Sequence, residues 1–206
     1  MMRRSCPLYT ALCAVLLLGL SACGSSPAVH FYTLTSLQEG KSSPAIEMAE
    51  RQGIIAVGPV EIADYLNRPQ IVRRDGASSV TLLEVDRWAG SLQGDVARVL
   101  LDNLAVLLGP SGYVVLPWET SPLADGRIQV SVTRFEGTDQ DTVVLDALWT
   151  LNGKEKGDIL AAGNTVIVEP AGGGGAGGMV EAMNRALAEL SRRIAAEAET
   201  KLGQAG

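Results

Sequence analysis

Four side chains hold all of the imidazole and thiol chemistry of this 206-residue chain: His30, Cys6, Cys13 and Cys23. All four precede the first segment with the periodicity of a packed helix. A catalytic imidazole or a metal ligand needs packed neighbours that lock its rotamer, so His30 reads as a solvated linker residue. With no second histidine, the familiar zinc sites and the Ser-His-Asp and Cys-His systems are excluded. Neither G-x-S-x-G nor S-x-x-K occurs. Asp139, Asp141 and Asp146 could serve a hydrolase only by converging in one cleft, and they fall at a hairpin end and along a strand, where solvated acids are ordinary. Gly40-Lys41-Ser42 ends like a phosphate-binding loop, but the first glycine of that motif would be residue 35, which is Thr. The run Gly172 to Gly178 has neither lysine nor hydroxyl and reads as a flexible strand-to-helix connection. The expectation is no catalytic residue, no metal and no diffusible cofactor.

The cysteines belong to a different chemistry. Arg3 and Arg4, with no acid nearby, precede the ten apolar residues Ala11 to Leu20, and Ser21 and Ala22 close the run. A membrane span needs about 20 apolar residues, so residues 1–22 read as an export signal. Leu20-Ser21-Ala22-Cys23 resembles the lipobox of bacterial lipoproteins. The resemblance implies cleavage after Ala22 and acylation of Cys23, the covalent lipid being the only prosthetic group expected. Three acyl chains, at about 0.8 kcal/mol per buried methylene, exceed what stable anchoring requires. Gly24 stands where inner-membrane retention would place Asp, which by resemblance favours the outer membrane. Cys6 and Cys13 leave with the signal, so no disulfide or thiolate site remains in residues 23–206. Arg3 and Arg4 leave too, and 15 basic against 23 acidic residues give a charge of −8. Such a surface disfavours nucleic acid and anionic headgroups.

Residues 23–30 form a lipidated tether and 31–206 a single domain. Over residues 24–30 an extended chain reaches about 25 Å, which keeps the domain close to the bilayer. Strands are expected over 31–37, over 54–62 with an edge position or bulge at Gly58-Pro59, and at 71–73 and 80–85 around an Asp75-Gly76 turn. Residues 91–108 carry apolar positions at helical spacing from Leu92 to Leu108, with Ser91 as N-cap and Gly109-Pro110 as stop. After a short strand at 113–116, three longer strands follow, with Ile128, Val130 and Val132, then Val143, Leu145, Ala147, Trp149 and Leu151, then 159–168. They read as an antiparallel meander. Met179, Met183, Leu187, Leu190, Ile194 and Leu202 mark a second amphipathic helix. The pattern predicts an α+β fold, a mostly antiparallel sheet with two amphipathic helices packed on one face.

Val57-Gly58-Pro59-Val60, Asp64 to Arg73 (DYLNRPQIVR), Asp86-Arg87-Trp88-Ala89, Tyr32-Thr33-Leu34 and the helical Leu92, Arg98, Leu100 and Asn103-Leu104 resemble the PqiC (YmbA-like) family. These are auxiliary lipoproteins of ABC-type intermembrane lipid transport systems. The resemblance implies an outer-membrane lipoprotein facing the periplasm, a docking subunit for an MCE-domain protein and its transporter components, without enzymatic activity. Such a membrane-bridging adaptor could form a homo-oligomeric ring of cyclic symmetry. Tyr65, Arg68, Arg73, Arg87 and Trp88 have the composition of partner-binding residues, with a core Trp88 as the alternative. A scaffold or activator of cell-wall or secretion machinery is the competing reading.

Overall fold

In the computed structural model the described residues are 27–37, 52–155 and 157–205, so the signal segment, Ala22 and Cys23 lie outside them. Eight strands form one sheet: β1 (His30–Tyr32), β2 (Gly53–Ile62), β3 (Gln70–Arg74), β4 (Val80–Trp88), β5 (Tyr113–Pro117), β6 (Gly126–Thr138), β7 (Thr142–Asn152) and β8 (Ile159–Pro170). Helices α1 (Leu92–Leu108) and α2 (Gly175–Ala205) pack on one face of it and on each other. No helix among the described residues is long and apolar enough to cross a membrane.

The α+β class and the single helical layer match the sequence reading, while the sheet is mixed and not mostly antiparallel. The β3–β4 hairpin and the β6–β7–β8 meander are antiparallel, whereas β1–β4, β2–β5, β2–β6 and β3–β6 run parallel. The physical reason is the crossover: α1 returns the chain to the start of β2, so β5 is laid down in the same direction as β2. Sequence-adjacent hairpins show in local pattern, and these distant pairings do not.

Strand β6 organises the sheet. It pairs with β7 along nearly its whole length, while its other side takes β2 through Val132 and β3 only at Gly137 and Thr138. The sheet is therefore forked, with β2–β5 on one arm and β3–β4–β1 on the other. Strand β2 is interior, and the register shift between Val57 and Val60 makes Gly58-Pro59 a bulge. Gly58 has φ +128°, and a Cβ there would collide with the Trp118 indole, so glycine is required on both counts.

In α1, Ser91 Oγ accepts the Gly94 amide at 3.3 Å, and Leu92, Val96, Val99, Leu100, Leu104 and Leu108 are buried. From the meander, Ile128, Val130, Val132, Val143, Leu145, Ala147, Trp149 and Leu151 complete the core under Met183, Leu187, Leu190 and Ile194 of α2. Ala182, Ala186 and Ala198 have no exposed surface, and their small side chains let α2 lie close to its neighbours. Helix α2 begins at Gly175, inside the glycine run expected to be a loop. At Gly178 a Cβ would strike the Ala171 carbonyl, so the close return of the chain from β8 needs glycine there.

The strand expected over 31–37 ends at Tyr32. Trp88 closes β4, and the Ala89 amide bonds to the Tyr32 carbonyl at 2.8 Å, so no ladder partner remains. Residues 33–37 cross the helix pair instead, and side chains supply their hydrogen bonds. Arg98 donates to the Leu34 carbonyl at 2.6 Å, and the amides of Thr35 and Leu37 donate to Asn184 and Asn103 at 3.0 and 2.7 Å. Asn103, 1% exposed, also donates to the buried Ser191 at 3.2 Å, which itself donates to the Leu187 carbonyl. Asn103→Ala strands the Leu37 amide and should destabilise the fold by about 1–3 kcal/mol. Urea unfolding measures the loss, and amide exchange at Leu37 should accelerate more than at residues remote from the strap; equal acceleration everywhere would contradict this role.

Candidate functional site

The fork in the sheet is filled by loop 63–69, which the fully buried Leu66 anchors and whose Ala63 amide bonds to the Val132 carbonyl at 3.0 Å. A bulge between Val132 and Arg134 shifts the phase of β6. Phe135 then enters the core, and Arg134 and Glu136 face away from the helices. Glu136 is 0% exposed. Its carboxylate accepts from the Tyr65 hydroxyl at 2.5 Å, Arg74 Nε at 2.7 Å and Arg134 Nε at 3.0 Å. The Arg74 guanidinium also lies 5.7 Å from the centre of the Tyr65 ring.

Burial works to raise the Glu136 pKa, and the bonds from Tyr65, Arg74 and Arg134 outweigh it, holding the carboxyl below the ordinary range. Burial, followed by the bond to Glu136 and its negative charge, pushes the Tyr65 hydroxyl up to about 12, with Arg74 opposing. Both Glu136 oxygens are therefore occupied and Tyr65 is protonated at neutral pH. The cluster has no free base or nucleophile, and what it can do is clamp loop 63–69 between the two arms of the sheet.

Among the partner-binding candidates, Tyr65 enters this cluster and Arg68 bonds to its carbonyl through Nε at 2.6 Å. Arg73 bonds to Asp75 at 2.9 Å, and Arg87 bonds to the Glu84 carbonyl at 3.0 Å, away from the cluster. Trp88 is 3% exposed and sits in the core, so its large side chain presents no free contact area. His30 opens β1 instead of lying in the tether, with Nδ1 3.1 Å from Asp86 Oδ1, although it stays exposed. Asp141, with φ 54°, accepts the Gly173 amide at 2.7 Å and so fixes the glycine-rich connection, while Asp139 lies exposed in the same turn. Asp146 is five residues further along β7, roughly 16 Å away at strand rise, so the three acids do not converge. No group of three His, Cys, Asp or Glu among the described residues could hold a metal.

The sequence reading missed Arg74, Arg134 and Glu136. The available signal was an arginine two residues before an acid in a strand, which puts both on one face, opposite a buried aromatic. Glu136→Gln weakens the clamp and should cost about 2–4 kcal/mol near neutral pH. The lowered pKa gives the sign of the pH effect: stability from the ionised Glu136 is complete above the unfolded value near 4.5 and is lost as pH falls through the folded one. Urea unfolding between about pH 6 and 3 should show a smaller acid-side loss in the variant; equal losses would contradict the ionised clamp.

Residues 32–195 match the family model described as "ABC-type transport auxiliary lipoprotein component". No curated protein matches the chain. A crystal structure titled "uncharacterized protein" superposes with TM-score 0.68 at 22% identity, covering 83% of this chain and 99% of the other. Protein XCC0632 from Xanthomonas campestris superposes with TM-score 0.64 at 14% identity, covering 85% of this chain and 97% of its own. At such identities these two establish the fold alone. The family match spans most of the chain, including the strap, both arms of the sheet and the Glu136 clamp, and the chain therefore belongs to the family of ABC-type transport auxiliary lipoprotein components.

Proposed function

We propose that this chain is the periplasm-facing outer-membrane lipoprotein of an MCE/ABC-type intermembrane lipid transport system, acting as a non-enzymatic docking subunit. The observation that carries the reading is the family match over residues 32–195. The lipobox ending at Cys23 supports anchoring, and a net charge of −8 after signal removal favours contact with the bilayer through the lipid. Docking is also supported by the sheet edge. Among the described residues strand β8 pairs only with β7, and Leu148, Val166 and Val168 are more than half exposed on the face away from the helices. Arg68, Arg73 and Arg87, each partly exposed, supply polar contacts in the same proposal, whereas Trp88 acts through the core.

Co-purification with the lipidated protein should recover an MCE protein together with a permease and an ATPase. Val166→Lys should lower that recovery while leaving the unfolding midpoint unchanged. Recovery of cell-wall synthases or secretion components alone would favour the scaffold reading and overturn this one. Cys23→Ala should abolish incorporation of labelled palmitate and leave precursor or soluble protein; retained labelling would refute the anchor.

A further inference from the structure

Ten arginines lie in the described residues, and nine of them donate to a carboxylate or carbonyl of the protein. Arg127 is the exception. Its Nε is buried with no acceptor among the described residues, and its guanidinium lies 5.8 Å from the centre of the Trp118 ring. In a chain of net negative charge, an arginine held by an aromatic face and by no acid is a place for an external anion.

Two clefts flank this pair, one lined by Arg127 and the other by Trp118. The first, of about 390 Å³, is lined by Arg127, Gln129, Asn152 and Lys154, with Glu155 as its acid. Gln129 Oε1 is occupied by Asn152 and Thr150, which leaves its amide nitrogen to donate. Lys154 is 73% exposed and only 4.0 Å from Asp125, whose other oxygen already accepts the Ile54 amide. The second cleft, of about 520 Å³, is mostly apolar, with Pro59 and Val60 of the bulge, Ala97 and Leu101 of α1, Pro117 and Trp118 in its walls. The polar groups on its α1 wall are engaged, Arg98 with Leu34, Asp95 and Asp102, and Gln93 with the Val60 carbonyl, while Glu119 contributes a negative charge. Its volume lies in the range of about 300–1,000 Å³ common to small-molecule sites.

We propose that the two clefts form one binding site for an anionic phospholipid. The phosphate sits against Arg127 and Lys154, and an acyl chain passes over Trp118 into the cleft between the β2 bulge and α1. Charge complementarity selects the headgroup, since Arg127 is the described arginine whose guanidinium has no acceptor among the described residues. Glu119 and Glu155 disfavour additional negative charge. The site is independent of the docking reading, because partner recovery and lipid binding are measured separately and either can fail alone.

The test uses the chain from residue 23 to 206 carrying Cys23→Ala, titrated calorimetrically with dihexanoylphosphatidylglycerol below its micelle concentration. Saturable binding is expected, with a tryptophan fluorescence change that Trp118→Phe removes. Arg127→Gln, and separately Ala97→Phe, which fills the apolar cleft, should each weaken binding about tenfold or more, and Arg127→Lys should recover part of the loss. Unfolding midpoints identify any variant that fails to fold, and Lys154→Gln, on the exposed rim, then replaces it. Glycerophosphate and neutral dihexanoylglycerol should each bind at least about tenfold more weakly than the phospholipid. Equal binding of glycerophosphate would reduce the site to a phosphate site, and equal binding of dihexanoylglycerol would remove the role of Arg127. Either result, or no saturable binding, overturns the proposal.

Discussion

A carboxylate with no exposed surface, held by two guanidiniums and a phenol, is the constraint on which the sheet depends. Strand β6 is continuous, but its two arms pair with different ends of it, and between them its edge would be left without a ladder. Loop 63–69 fills that gap, and Glu136 fastens the loop through Tyr65 while Arg74 fastens β3. A buried ion cluster is rarely a large net source of stability, but removing one partner leaves uncompensated charge. The cluster therefore serves more to tie loop 63–69 and β3 to β6 than to add to the total stability. The apolar core under the helices supplies that.

The parts of the fold legible in the sequence were those set by local pattern. Ser91, the apolar stripe to Leu108 and the Gly109-Pro110 stop define α1 from neighbouring residues alone, and alternation along β7 and along β6 as far as Val132 identifies the core face. The reading was incomplete where distant segments decide. The composition of residues 33–37 suits a strand, yet Arg98, Asn103 and Asn184, far along the chain, take the hydrogen bonds a neighbouring strand would have made. Parallel pairing is similarly invisible, because no turn joins the partners. At the site, Tyr65 and Arg68 were found by residue type, whereas Glu136 was not, since an acid in a strand ordinarily faces water. Trp88 shows the limit of composition: the same indole that suits an interface suits a core.

Family membership and geometry support different parts of the functional picture. The match over residues 32–195 places the chain among auxiliary lipoproteins of ABC-type transport. The geometry shows that both oxygens of Glu136, at the centre of its most concentrated polar cluster, are engaged internally. What faces outward is an acidic surface with apolar valines on one edge and the Trp118–Arg127 pair near the start of β6.

The strap over the helices has a mechanical consequence. A load entering the chain at its N-terminal side meets the three-residue β1 ladder first and then the side-chain bonds at Leu34, Thr35 and Leu37. Those bonds belong to α1 and α2, the two elements in deepest contact with the core, so tension reaches the body of the domain and not a loose end. If β1 peels away, the strap still has to be drawn off two helices, with Leu34, 1% exposed, leaving its socket at the same time. Against tension from that side the domain thus has a graded grip, in which the outer ladder yields before the inner strap does.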